Sequence, residues 1–253
     1  MAAPDPALAE VASSDPVLVG AGDIASCDER GDEKTARLLD GIAGTVFTVG
    51  DNAYESGRAR EYRRCYDPTW GRHKARTRPA PGNHDYRSSG GAPYYDYFGQ
   101  KAGPAGRGYY SYDLGAWHVI SLNSNIAAEA GSRQYEWLRK DLAANPSECA
   151  VAYWHHPVFN SGDTGNDPKM AEIWKLLDES GVDVVLAGHA HSYERFAPQD
   201  YLGNADPNGI REFVVGTGGR NLRPFSTVQA NSEVCDSGTF GVLKLTLHAT
   251  SYD

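Results

Sequence analysis

Short apolar runs that end in polar clusters are the feature of this chain that most constrains its fold. Five strand-like or extended runs are each followed by residues of metal-binding types. These residues are Asp23, Asp51, Asn83-His84, His155 and the pair His189 and His191. In open α/β sheets, ligands bind beyond the carboxyl ends of the strands. The pattern therefore predicts an α/β fold in which these side chains meet at one edge of a sheet, and it argues against five unrelated turns.

The segments between these clusters carry alternating strand and helix patterns. Apolar and β-branched runs predict strands, and prolines hold one more segment extended; these segments are residues 17–20, 45–49, 78–81, 150–154, 182–187, 213–216 and 242–247. Apolar positions at helical spacing predict helices over residues 33–42, 132–144 and 168–179. A Gly-Ala turn predicts a hairpin between residues 109–114 and 117–122.

Length and composition indicate one globular domain. The chain has 253 residues, of which 40% are hydrophobic and 23% charged, as in folded domains with a sizeable core. We predict an N-terminal tail over residues 1–16 and one catalytic domain over residues 17–253. The tail lacks the apolar segment of a signal peptide. The sequence ends directly after a predicted strand, which leaves open a continuation of the domain past Asp253.

Charge and hydropathy exclude some classes of partner. The formal net charge is -9, and an acidic chain is poorly suited to bind nucleic-acid phosphates broadly. The acidic balance leaves a small phosphorylated substrate possible, because bound metal ions dominate the charge of a small cleft. The sequence contains no apolar run long enough to cross a bilayer, so no membrane partner is expected.

The chain has four cysteines, and their spacing matches no zinc-ribbon or redox motif. We predict a disulfide between Cys27 and Cys65, which flank the segment that carries Asp51. Cys149 with Cys235 is a weaker second pair, since Cys149 also suits a core thiol. Disulfides favour an exported protein, secreted or periplasmic, although a cytoplasmic location stays open.

The strand-end residues form a mixed oxygen and nitrogen ligand set. Aspartate, imidazole and an asparagine carbonyl suit Fe, Mn, Zn, Co or Ni better than copper or calcium. Two such ions at roughly 3.5–4 Å need a bridging ligand, for which a carboxylate is the natural group. A pair of this kind binds a phosphate ester and activates a water for in-line displacement.

The order of these clusters resembles the signature of the calcineurin-like metallophosphoesterase superfamily. The matching blocks are Gly22-Asp23, Gly50-Asp51-Asn52-Ala53-Tyr54, Gly82-Asn83-His84-Asp85, His155 and Gly188-His189-Ala190-His191. The last block continues as Ser192-Tyr193-Glu194-Arg195, which is similar to the purple acid phosphatase version. Tyr54, three residues after Asp51, is also similar to the purple acid phosphatase version. The resemblance implies a four-layer α/β/β/α sandwich.

The resemblance also implies which residues bind the metals. Many superfamily members have a histidine two residues after the first aspartate, but this chain has Ala25 there. By the resemblance, Tyr54 fills the vacancy as a phenolate, and Fe(III) is the expected ion at the site of Asp23, Tyr54 and His191. Asp51 bridges to a second ion, which is Fe, Zn or Mn. The remaining ligands of that ion are Asn83, His155 and His189.

Three further residues are assigned to catalysis or substrate binding by the same resemblance. His84 is expected to face the substrate and to protonate the leaving oxygen or bind phosphate. Asp85 stands where relatives have glutamate, and it is expected to orient His84 by a hydrogen bond. A structural turn is the alternative for Asp85. His156 follows a ligand, and both a substrate contact and a supporting role stay open for it.

The expected activity is hydrolysis of small phosphate monoesters by a metal-activated water or hydroxide. Two alternatives stay open. The same site serves a phosphodiesterase that acts on nucleotides, and a chain that had lost catalysis would remain a phosphate- or metal-binding module. Every ligand position of the signature is filled here, which favours an enzyme.

Overall fold

The computed structural model describes residues 15–104 and 106–253. The predicted tail over residues 1–16 therefore lies almost entirely outside the described residues. Within the described part of the chain, no helix has both the length and the apolar character needed to cross a membrane.

The described residues form eleven strands in two sheets. The strands are β1 Val17–Ala21, β2 Thr45–Val49, β3 Thr77–Ala80, β4 Tyr110–Leu114, β5 Trp117–Ser121, β6 Cys149–Tyr153, β7 Val184–Ala187, β8 Tyr193–Phe196, β9 Arg211–Val215, β10 Ser232–Asp236 and β11 Leu243–Thr246. The first sheet has the order β11-β1-β2-β3, in which β1, β2 and β3 are parallel. The second has the order β10-β8-β9-β7-β6-β5-β4, in which β5, β6, β7 and β9 are parallel.

Six α-helical segments connect or flank these strands. They are α1 Gly31–Asp40, α2 Ala59–Glu61, α3 Asn83–Tyr86, α4 Ala92–Phe98, α5 Arg133–Ala144 and α6 Ala171–Glu179. A π-helical turn over Tyr62–Tyr66 extends α2, and 3-10 turns lie at Trp70–Arg76, Ser89–Gly91, Gly99–Ala102 and Pro168–Met170. Ser132 caps the start of α5, since its hydroxyl accepts a hydrogen bond from the Tyr135 amide at 3.3 Å.

The two sheets and the long helices form the four layers α/β/β/α, which confirms the predicted fold class. Strand β6 shows how the layers arise, because its side chains alternate between two cores. Val151 and Tyr153 belong to the core between the sheets, together with Leu18 of β1 and Phe47 of β2. The alternate residues Ala150, Ala152 and Trp154 pack instead with side chains of α5 and α6.

One aspect of the predicted arrangement is wrong. The strands that carry the polar clusters do not share one sheet: β1, β2 and β3 lie in the first sheet, and β6 and β7 in the second. A linear pattern marks the carboxyl end of a strand but not the sheet that the strand joins. Strands β8 and β10 and the helical segments between residues 59 and 102 were also not predicted, because their short stretches lack a clear hydrophobic period.

The cysteines give one confirmed and one wrong prediction. Cys27 and Cys65 form a disulfide with a sequence separation of 38 residues. Cys149 and Cys235 are both free thiols. Cys149 is buried on the central strand β6, whereas Cys235 is exposed on the edge strand β10. Three strands of the same sheet separate the two, so they cannot bond.

Candidate metal centre

The first predicted metal site is a compact group around the Tyr54 hydroxyl. That oxygen lies 2.7 Å from Asp23 Oδ1, 3.0 Å from Asp51 Oδ2 and 3.3 Å from His191 Nε2. His191 Nε2 is in turn 3.4 Å from Asp23 Oδ1. The four side chains follow β1, β2 and β7 and are all buried. The structure thus brings together all the residues predicted for this site.

The second predicted site is centred on His155, which follows β6. His155 Nε2 lies 3.0 Å from Asn83 Oδ1, 3.2 Å from His189 Nδ1 and 3.4 Å from Asp51 Oδ2. Asn83 is the first residue of α3, and His189 follows β7. These four residues come from both sheets, and they also converge as predicted.

Asp51 belongs to both groups. Its Oδ2 atom faces Tyr54 on one side and His155 on the other. Its Oδ1 atom accepts a hydrogen bond from the His84 amide at 2.7 Å, which fixes the carboxylate plane. A carboxylate held between two ligand sets is the arrangement that a bridging ligand requires.

The backbone at three of these positions adopts a conformation that side-chain-bearing residues rarely take. Asp23, Asp51 and His189 have φ values of 57°, 50° and 68°. Such left-handed residues are costly and cluster at functional sites. Gly82 lets its backbone approach Asp51 closely, because a Cβ atom at this position would collide with the Asp51 carboxylate.

Hydrogen bonds to backbone carbonyls orient two of the imidazole rings. His155 Nδ1 lies 2.8 Å from the Val49 carbonyl oxygen, and His191 Nδ1 lies 2.7 Å from that of Asn221. When Nδ1 donates to a carbonyl, a neutral ring presents the lone pair of Nε2. Both Nε2 atoms face the centre.

The buried carboxylates, histidines and Tyr54 of the centre shift one another's pKa values. Burial raises the pKa of Asp23, but the hydrogen bond and charge of His191 bring it below its ordinary value. Burial lowers the pKa of His155, but the Asp51 carboxylate outweighs burial and raises it to about 9. Burial and the neighbouring carboxylates raise the pKa of Tyr54 well above its usual value. A nearby cation would compensate the carboxylates and favour the phenolate.

The donor atoms fit a pair of metal ions. Two carboxylates point at the single proton of the Tyr54 hydroxyl, and the Asn83 carbonyl oxygen faces the Nε2 atom of His155. The lone pairs of these atoms therefore face one another with too few protons to separate them. A bound cation would accept these lone pairs. One set of potential ligand atoms within 4.8 Å of one another comes from Asp23, Asp51 and His155. A second comes from His155, His156 and His189.

His84 lies at the rim of this centre. Its ring packs on the Tyr54 ring at a centroid distance of 4.4 Å, and its Nε2 atom is 3.9 Å from Asp51 Oδ2. Nδ1 lies 2.7 Å from the Glu55 carbonyl oxygen. The side chain keeps 17% of its surface exposed, so it can reach a molecule bound at the centre.

The predicted role of Asp85 is wrong. Its carboxylate is fully buried and makes no hydrogen bond to the His84 ring. It accepts hydrogen bonds from the Asn52 amide and side chain, from the Gly82 amide and from the Tyr62 hydroxyl. Asp85 therefore joins the loop after β2 to the loop after β3. The turn that α3 makes carries this carboxylate away from the opening.

His156 occupies a different position from His84. Its ring packs on His189 and His155 at centroid distances of 4.6 and 4.9 Å, and its Nδ1 atom lies 2.7 Å from the Ser124 hydroxyl oxygen. Only 4% of the residue is exposed. Burial and the two neighbouring histidines lower the pKa of His156 to about 2, so the ring is neutral. A substrate contact of His156 stays a prediction.

Two residues at the centre escaped the sequence analysis. Ser124 follows β5 and contacts His156, and Arg220 follows β9 and packs over Tyr54 with its guanidinium carbon 5.2 Å from the ring centroid. Both lie in polar segments directly after strands, so the strand-end rule that found the other clusters also applies to them. Neither segment matches a block of the family signature, and for that reason neither was selected.

Comparison with known proteins agrees with this geometry. A family model described as calcineurin-like phosphoesterase matches residues 17–193. Purple acid phosphatase 18 of Arabidopsis thaliana is 37% identical over 117 residues, which cover 44% of this chain and 26% of that protein. A protein named probable inactive purple acid phosphatase 9, also of Arabidopsis thaliana, is 32% identical over 146 residues, or 53% and 22% of the two chains.

A solved structure shares the fold. The purple acid phosphatase PPD1 from yellow lupin seeds superimposes with a TM-score of 0.74 at 24% sequence identity, over 93% of this chain and 50% of that one. This chain therefore spans half or less of the length of these relatives. The family model nevertheless covers well over half of the chain, and the seven side chains of the two predicted metal sites all lie within residues 17–193. We conclude that this chain belongs to the calcineurin-like phosphoesterase family.

Proposed function

We propose that this protein is a binuclear-metal phosphatase that hydrolyses phosphate monoesters. The observation that carries the proposal is the position of Asp51, whose carboxylate stands between the Tyr54 and His155 groups with Oδ2 within 3.4 Å of both. When bound there, two metal ions supply the charge that holds a phosphate group and lowers the pKa of a water.

The ligand sets suggest which ions bind. Asp23, Tyr54 and His191 offer two oxygen donors and one imidazole at the first site, and the hard phenolate oxygen favours a trivalent ion such as Fe(III). Asn83, His155 and His189 offer an amide oxygen and two imidazoles at the second site, which suits Fe, Zn or Mn in the divalent state. Asp51 would contribute one carboxylate to both.

His84 is the residue best placed to move a proton. Its partly exposed ring lies at the rim of the centre, where the leaving group of a bound ester would emerge. With Nδ1 bonded to the Glu55 carbonyl, Nε2 is the atom that would donate to the departing oxygen. Asp85 supports this geometry only through the backbone that it anchors, because its carboxylate does not contact the imidazole.

A chain that had lost catalysis is the main competitor, since one relative is named an inactive phosphatase. A chain that had lost catalysis would be expected to lack one or more of the metal ligands. Here each of the seven predicted ligands has a side-chain atom within 3.4 Å of at least one other ligand, which favours activity. The disulfide between Cys27 and Cys65 further supports export to an oxidising compartment.

The test combines activity with metal analysis. Purified protein loaded with iron and zinc is assayed with p-nitrophenyl phosphate and with its bis-ester, before and after a chelator. We expect monoester turnover that the chelator abolishes. Asp51→Ala should lose both ions and nearly all turnover, whereas Asp96→Asn, an exposed acidic control, should retain both. Two ions at full occupancy in Asp51→Ala would contradict the bridging role. Preferred turnover of the bis-ester would make the protein a diesterase.

A further inference from the structure

A cleft of about 390 Å³ opens next to the metal centre. Residues 26–28, which follow β1, form part of its lining, and the rest comes from the segment between Tyr54 and Arg64. Tyr54 and Glu55 belong to both places, since the Tyr54 hydroxyl contacts Asp23 and the Glu55 carbonyl contacts His84. A molecule bound at the centre is therefore adjacent to the cleft.

Three arginines line this cleft: Arg58, Arg60 and Arg64. All three are exposed, and none forms an ion pair with any residue that the structure describes. Two arginines near the metal centre do form ion pairs: Arg220 pairs with Glu29 and Glu55, and Arg223 pairs with Asp163. The three guanidinium groups of the cleft therefore remain available to an anionic ligand.

The carboxylates of the cleft are mostly engaged elsewhere. The buried Glu61 carboxylate accepts hydrogen bonds from the amides of Ser56 and Arg58. Glu55 pairs with Arg220 at 2.6 Å. Neither Glu61 nor Asp28 forms an ion pair with a described residue, and of these two only Asp28 is exposed. The exposed lining side chains that have no ion-pair partner among the described residues are therefore three arginines and one aspartate.

The two sides of the cleft are covalently joined. The disulfide connects Cys27, on one side, to Cys65, which directly follows Arg64 on the other. Glu61 fixes the start of the arginine-bearing helical segment through its bonds to two backbone amides. The guanidinium groups thus extend from a backbone that is already ordered, which lowers the entropy that a ligand must offset.

We propose that this cleft binds a second phosphate group of the substrate. The inference rests on the proposed function: one phosphate of a small bisphosphorylated ester binds at the metal centre and the other binds the arginines. Guanidinium groups match phosphate oxygens with paired N–H donors. The confined volume and the acidic net charge favour a small substrate over nucleic acid.

The test uses a matched pair of substrates and a matched pair of variants. Fructose 1,6-bisphosphate and fructose 6-phosphate differ by one phosphate group, and p-nitrophenyl phosphate reports the basal activity. Arg64→Gln removes a charge that lines the cleft. Arg63→Gln removes the neighbouring charge, which is exposed but outside the lining, so both variants change the overall field equally.

We expect kcat/KM for the bisphosphate to exceed that for the monophosphate, and Arg64→Gln to reduce this ratio about five- to tenfold, as loss of one charged hydrogen bond does. Arg63→Gln should leave the ratio within about twofold, as screening of distant exposed charges implies. Activity on p-nitrophenyl phosphate should not change in either variant. Equal kcat/KM values for the two fructose phosphates in the wild type would overturn the proposal. An equal fall of their ratio in both variants would overturn it too.

The two proposals fail in different ways. If the metal-loaded protein does not hydrolyse p-nitrophenyl phosphate, the proposed function is wrong. In that case, the Kd values of the two fructose phosphates are measured by calorimetry for the wild type, Arg64→Gln and Arg63→Gln. The ratio of these Kd values then decides whether the cleft binds the second phosphate. If p-nitrophenyl phosphate is hydrolysed but the ratio does not respond to Arg64→Gln, only the cleft assignment is lost.

Discussion

The guanidinium group of Arg220 lies over the ring of Tyr54, with its central carbon 5.2 Å from the ring centroid. The same guanidinium bonds to Glu29 at 2.8 Å and to Glu55 at 2.6 Å. The Arg220 amide donates to the Asp23 carbonyl oxygen at 2.8 Å. Arg220 therefore connects the loops that follow β1, β2 and β9, and it holds the Tyr54 ring against the metal centre.

The first prediction concerns Tyr54. A phenolate bound to Fe(III) absorbs visible light by charge transfer, so the oxidised iron-loaded protein should be violet to pink. Tyr54→Phe should abolish this band and weaken iron binding at that site, while the loss of one hydroxyl should cost about 1 kcal/mol of stability. Absorption spectra and iron analysis measure both effects.

Tyr62→Phe is the matched control, because Tyr62 is equally buried but its hydroxyl bonds to Asp85. This variant should keep the colour. A colourless iron-loaded wild type, or an unchanged band in Tyr54→Phe, would show that Tyr54 is not a ligand. The protein would then lack the feature that defines the purple phosphatases.

The second prediction concerns Arg220. A positive charge near the ring stabilises the electrons of the phenolate, so its removal should lower the energy of the charge-transfer transition. Arg220→Met should therefore shift the visible band to longer wavelength, and Arg220→Lys should shift it less. Arg223→Met is the control, since Arg223 pairs with Asp163. Identical spectra for the wild type and Arg220→Met would contradict a positioning role for Arg220.

The third prediction concerns Asp85. An asparagine there would present an amide group to donors from Asn52, Gly82 and Tyr62, so at least one buried hydrogen bond would be lost. Asp85→Asn should reduce the free energy of unfolding by roughly 2–4 kcal/mol, as measured by urea denaturation. The visible band of the iron-loaded variant should survive. Unchanged stability together with a selective fall in kcat would restore the catalytic role.

The fourth prediction concerns His118, which is buried between Asp141 at 2.8 Å and Asp113 at 2.9 Å. The hydrogen bond to Asp141 outweighs burial and raises the pKa of His118 above its ordinary 6.5. A raised pKa means that the protonated imidazole stabilises the fold. This contribution is full below pH 6.5 and disappears as the pH rises through the raised pKa.

The measurement compares the wild type with His118→Asn by urea denaturation between about pH 5 and 9, a range that brackets the ordinary histidine pKa. The wild type should be more stable at low pH, and its advantage should shrink as the pH rises. Subtraction of the two curves removes the titration of the histidines at the metal centre, which both proteins share. A constant difference across the range would show that the pKa of His118 is the same in the folded and unfolded states.

Much of the fold was accessible from local pattern. The strand runs ending near Asp23, Asp51, His155 and His189 appear within one or two residues of their predicted positions, because buried strands need apolar and β-branched side chains. The order of the polar blocks also predicted the family correctly. These features depend on short stretches of sequence, in which each residue's type limits its conformation.

The pairing of strands and the direction of individual side chains depended on contacts between distant segments. Local pattern did not reveal that β1 and β6 belong to different sheets, or that Asp85 turns inward to Asn52 while His84 stays at the rim. Arg220 follows a strand, but no local pattern indicated its contact with Tyr54. That contact depends on the approach of Gly219 to the chain near Ile24 and Asp32. Local sequence limits backbone conformation at each strand end, whereas the partners of a buried charge are set by whichever segments pack around it.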